Sequence, residues 1–95
     1  MSGEFLPPFL EHAWAIVSGS PMDGLWENKI RLGLGAPEGM NLFAMGVGIA
    51  EPMFGGRWNA GSTKRAGGSI RTPREVAVCL ANLIERLPLA HPFKV

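Results

Sequence analysis

Cysteine is nearly absent: the 95 residues contain one, Cys79. A lone cysteine excludes an internal disulfide. Inside an apolar, helix-periodic stretch it reads as a small buried hydrophobe, since a reactive thiol needs an electropositive, accessible setting. Histidine is scarce as well, and His12 and His91 stand at opposite ends of the chain. No Cys/His/Asp cluster has metal-ligand spacing, so neither a zinc site nor any cofactor is implied. No serine lies in a G-x-S-x-G context, and Glu27, Glu38 and Glu51 have no spacing that pairs them as an acid–base dyad. These absences argue against an enzyme. No apolar run reaches the ~18 residues of a membrane-spanning helix. The first residues carry no basic segment followed by an apolar one, as a secretory signal would. A cytoplasmic location is therefore expected.

Charge is sparse too. Charged residues make up 18% of the chain and hydrophobic ones 46%, and the net charge is +1. Such a chain is too apolar for intrinsic disorder and carries no strong global field. Its length suits one domain, residues 1–95, with no internal repeat. Thirteen glycines and eight prolines, without a collagen period, imply many turns.

The periodic segments define a candidate architecture. Pro8 suits the first position of a helix, Glu11 its first turn, and Leu10, Ala13, Trp14 and Val17 recur at spacings of three and four. Gly19 suits the stop, so the pattern predicts a helix over residues 8–18. Pro21 and Gly24 are turn residues. Residues 26–34 then alternate, with Ile30, Leu32 and Leu34 opposite Lys29, Arg31 and Gly33. After a connection, "APEGMN", residues Phe43, Met45, Val47 and Ile49 oppose Leu42, Ala44, Gly46 and Gly48. Two period-two runs across a short loop predict a β-hairpin. A third short strand is expected around residues 57–60, and a brief extended piece at 69–71.

The clearest element is the last. Thr72, Pro73 and Glu75 form a capping box, in which the threonine and glutamate each satisfy a free backbone N–H. Val76, Cys79, Leu80, Leu83, Ile84 and Leu87 make one apolar face before Pro88, which predicts a helix over residues 73–87. The fold class expected is α+β: a small two-layer domain with an N-terminal helix, a central antiparallel β-hairpin or three-stranded meander, and a C-terminal amphipathic helix.

Charge is distributed unevenly. Residues 52–74 contain no acid but include Arg57, Lys64, Arg65, Arg71 and Arg74. Arg57, Trp58, Lys64, Arg65 and Arg71 are the candidate partner-binding residues: cations able to meet phosphate or an acidic surface, and an aromatic able to stack or anchor. A solvated basic loop is the plain alternative. The segment "GRWNAGSTK" places Gly56 and Gly61 as in a phosphate-binding loop. However, Ser62 stands where that motif needs lysine, and "RAGG" follows in place of a helix, so nucleotide hydrolysis is rejected.

The α-β-β-β-α order, with "STKR" before the last helix, resembles the double-stranded-RNA-binding domain. That family's basic run leads directly into its final helix, whereas "AGGSIRTP" intervenes here. The resemblance lies in order alone and assigns no site residue.

Gly33, Gly35, Gly46 and Gly48 would share one face of the expected hairpin. A face so thin admits close approach to the backbone. Its occupant could be the protein's own helix or a tryptophan, a bend in the hairpin, or a partner, which makes the four glycines a candidate second site.

The function expected is non-enzymatic binding of a macromolecular protein partner, as an adaptor subunit or a phage-type viral inhibitor does. Three tryptophans, five phenylalanines and five methionines exceed what one small core needs, and aromatics and methionine are enriched at interfaces. The alternative is a nucleic-acid-binding module that uses the basic loop of residues 57–71.

Overall fold

The computed structural model describes residues 13–87. Its elements are β1 (Ala15–Met22), β2 (Leu25–Leu32), α1 (Leu42–Met45), α2 (Val47–Ala50), β3 (Gly55–Gly56), β4 (Ala60–Ser62) and α3 (Pro73–Glu85). The strands form one antiparallel sheet in the order β1-β2-β4-β3. The helices lie on one of its faces, where α3 and the buried side of α1 and α2 meet Ala15, Val17 and Ile30 in a single core.

The first hairpin corrects the expected N-terminal helix. Residues 15–18 are strand, and residues 8–12 lie outside the described residues. The spacing of Ala13, Trp14 and Val17 is helix-compatible, but Ile16 and Val17 are β-branched and favour strands, and Gly19 and Pro21 disfavour a helix interior. The deciding feature is the turn. Asp23 and Gly24 have φ values of 53° and 80°. Both central residues of a type I′ turn need positive φ, and Asp-Gly supplies it while twisting the strands to match. The turn sets the register from Met22↔Leu25 to Ala15↔Leu32.

Residues 42–50 correct the second strand of the expected hairpin. They form two single-turn helices hinged at Gly46, which has φ 96° and donates its N–H to the carbonyls of Leu42 and Phe43. Asn41 caps the first helix, its Oδ1 accepting from the N–H of Ala44 at 2.7 Å. Leu42, Met45, Val47 and Ala50 are buried, while Phe43 and Ile49 are 56% and 65% exposed. The burial thus follows a spacing of three within each turn, and the apparent period of two grouped Phe43 and Ile49 with the wrong neighbours. The observed order of elements is therefore ββααββα, which also removes the α-β-β-β-α order of the RNA-binding domain.

The third strand expected around residues 57–60 is also corrected: residues 57–59 form a tight turn between β3 and β4, in which Arg57 N–H donates to Ala60 O at 2.8 Å, and of the four only Ala60 is strand. The extended piece at 69–71 is present as a single bridge between Ser69 and Trp26. Helix α3 begins as the capping box requires: Glu75 N–H donates to Thr72 Oγ1 at 3.1 Å, and Thr72 N–H donates to Glu75 Oε1 at 2.8 Å. Pro73, Val76 and Leu80 are buried, and Cys79, Leu83, Ile84 and Leu87 pack around the core. Among the described residues, no helix is long and apolar enough to cross a membrane.

Candidate functional site

Strand alternation assigns each residue to a face. Ala15 and Val17 point to α3, where they line a space with Ala77, Leu80 and Ile84. Ile16 and Ser18 face the other way. The register then lays two rows across the face that bears no helix among the described residues: Ser18–Lys29–Ser62 and Ile16–Arg31–Ala60. These residues line a shallow concavity of about 310 Å³. Lys29 and Arg31 are exposed; Lys29 stands between Ser18 and Ser62, and Arg31 between the buried Ile16 and Ala60.

The sequence-selected cations sit at the two ends of β4. Arg57 and Trp58 occupy the β3–β4 turn, whose backbone is fixed from both sides. Leu42 N–H donates to Trp58 O and Leu32 N–H to Asn59 O, both at 2.8 Å. Trp58 is 54% exposed. Lys64 and Arg65, both exposed, lie on the loop that leaves β4. That loop is closed by hydrogen bonds from Ala66 and Gly68 N–H to Thr63 O and from Gly67 N–H to Lys64 O. Lys29 and Arg31, far from both groups along the chain, thus stand between them on the sheet. The alternation in the sequence puts them on the strand face opposite Ile30 but assigns them no role, because nothing local marks β4 as their neighbour. Among the described residues, no acid forms an ion pair with any of these cations.

Arg71 is separate from this basic strip. It is half-buried, and its Nη1 donates to Ala50 O at 2.8 Å. The four glycines do not come together either. Gly33 is buried beside the backbone of Ala13 and Trp14, and Gly35 N–H donates to Ala13 O at 2.9 Å. Gly46 is the hinge between α1 and α2, and Gly48 is an exposed residue of α2. The shared glycine face required residues 42–50 to be a strand, and the helical turns there disperse it.

A polar cluster that sequence reading missed joins β2 to the segment preceding α3. Glu51 is fully buried. Its Oε2 accepts from Asn28 Nδ2 at 2.9 Å, and its Oε1 accepts from Ser69 Oγ at 3.0 Å and Met53 N–H at 3.1 Å. Asn28 Nδ2 also donates to Arg71 O at 2.9 Å, and Ser69 Oγ accepts from Arg71 N–H at 3.1 Å. Thr63 Oγ1 accepts from Asn28 N–H and donates to Trp26 O. Three neutral donors therefore hold one buried carboxylate. Asn28 Oδ1 has no hydrogen-bond partner and lies against Gly19, where a Cβ would meet it at 2.8 Å. The signal in the sequence is faint: one acid at the end of an apolar run, with its side-chain donors Asn28 and Ser69 lying 41 residues apart from each other.

Among the described residues, no group of three or more His, Cys, Asp or Glu residues could hold a metal. Among the described residues, the fold and this surface define a four-stranded antiparallel sheet with helices on one face and a basic strip on the other. The chain has no significant match to a protein-family model, a curated protein or a solved structure.

Proposed function

We propose that the chain is a non-enzymatic binding module whose basic strip docks a protein partner with an acidic surface. The observation that carries this reading is the placement of Lys29 and Arg31 between the Arg57/Trp58 turn and the Lys64/Arg65 loop, on a sheet face that bears no helix among the described residues. Ala60, Gly61 and Ser62 keep the β4 side of the strip low, so a partner can approach the cations closely from that side. Unpaired cations steer an acidic partner to the face, and an aromatic anchor at its edge slows departure. The buried polar cluster has a supporting role, holding β2 and the residues after β4 in one arrangement.

The test compares capture by the wild-type chain with capture by Lys64→Glu/Arg65→Glu and by Trp58→Ala, from lysate with and without nuclease. The expected result is a protein retained after nuclease treatment. The charge reversal slows its association at low salt, and Trp58→Ala speeds its dissociation. If capture vanishes with nuclease and generic RNA or DNA binds with a steep salt dependence, the strip is a phosphate-backbone surface and the nucleic-acid reading replaces this one. Unchanged association after charge reversal would reduce the strip to a solvated surface.

A further inference from the structure

We propose that a second site, the cavity between residues 51–53 and 66–71, binds a small monocarboxylate with an apolar body, gripped by Arg71. The cavity has a volume of about 480 Å³, within the ~300–1,000 Å³ of small-ligand sites. Leu25, Pro52, Met53 and Ile70 supply apolar walls, and Glu51, Ser69 and Arg71 supply the polar groups. That composition, mostly apolar with a few convergent polar side chains, is what orients a small ligand. Ile70 is 85% exposed and Met53 49%, so two of the walls are left to solvent in the free protein.

The polar groups select the ligand. Both oxygens of Glu51 already accept hydrogen bonds from within the protein. Ser69 Oγ is used twice, donating to Glu51 and accepting from Arg71 N–H. Arg71 is the group with capacity left. Of the five N–H donors of a guanidinium, one goes to Ala50 O, and among the described residues no carboxylate forms an ion pair with it. A guanidinium fork matches the two oxygens of a carboxylate. A single guanidinium balances one negative charge and not the two of a phosphate monoester, and the Arg71 charge disfavours an amine. A single negative charge on an apolar body fits both constraints. Two sources carry this chemistry: a free aliphatic acid, and the C-terminal residue of a peptide chain with an apolar side chain.

The experiment is an NMR titration of the full chain with hexanoate, hexylamine, and a short peptide ending in Leu-Leu, as free acid and as amide. Hexanoate or the peptide acid is expected to shift amide signals of residues 51–53 and 66–71. Arg71→Gln is expected to weaken that binding about tenfold or more, the scale of one charge-assisted contact. Ile70→Asp, at an exposed wall, is expected to weaken it similarly without lowering the melting temperature, and it carries the test if Arg71→Gln fails to fold. Tighter binding of the peptide acid than of hexanoate identifies a chain terminus as the source, and the reverse identifies a free acid. Equal binding of hexylamine, equal binding of the peptide amide, or no shifts at these residues would overturn the proposal. The strip variants Lys64→Glu/Arg65→Glu leave this cavity unaltered, so failure here and failure of the docking face are separately visible.

Discussion

Glu51 shows how much one side chain can decide. A buried carboxylate without a cation partner is stable only if donors replace its hydration. Asn28, Ser69 and the N–H of Met53 do so at 2.9–3.1 Å. The same bonds tie β2 to the end of α2 and to the approach to α3, so the carboxylate is a structural node as well as a cavity floor. Glu51→Gln keeps the shape but turns one acceptor into a donor that faces another donor. It is expected to destabilise the fold by about 1–3 kcal/mol, the cost of leaving a buried polar group unsatisfied, as measured by urea unfolding. An unchanged midpoint would mean that the cluster rearranges freely and does not hold these segments together.

At the scale of elements, local signals succeeded where they were short and chemically specific. The capping box of α3 is one case, because Thr72 and Glu75 act on each other within one turn. Thr72→Ala is expected to cost about 1 kcal/mol. Leu80→Ala, which truncates a side chain 2% exposed in the core, is expected to cost about 2–5 kcal/mol. Thermal melts of the two variants should therefore differ clearly, and equal losses would mean that α3 is not anchored through Leu80. The Asp23–Gly24 turn is equally specific and equally local, and it overrides the helical spacing of the residues before it. The run at 42–50 is the opposite case. Its period of two was real in the letters, yet four-residue helices are too short for periodicity to separate from strand. The cap at Asn41 and the left-handed turn at Gly46 decided the matter.

At the scale of the whole molecule, the basic strip exists because β4 pairs with β2. Lys29 and Arg31 belong to it only through the contacts Lys29↔Ser62 and Arg31↔Ala60. If the strip is one surface, Lys29→Glu/Arg31→Glu should slow association with the partner as Lys64→Glu/Arg65→Glu does. It should alter stability by no more than about 0.5 kcal/mol, as exposed substitutions usually do. Stopped-flow association at low salt, beside a thermal melt, checks both. A normal association rate for this variant alone would confine docking to the β4 ends.

The sequence by itself determined the properties that depend on neighbours within a few positions: one small α+β domain, the capped and amphipathic α3, and an acid-free basic segment. These follow from composition, capping chemistry and a helical repeat long enough to be unambiguous. Only the tertiary structure decided which residues meet. Residues 42–50 became helical because Leu42, Met45, Val47 and Ala50 could enter the core together. The four glycines were dispersed as a consequence. Lys29 and Arg31 joined the basic strip, and Arg71 left it for the wall of the cavity beside Glu51. The pairing of β2 with β4 and the burial of the core are non-local, since the energy of each depends on partners tens of residues away, and no local window of this chain contains both members of such a pair.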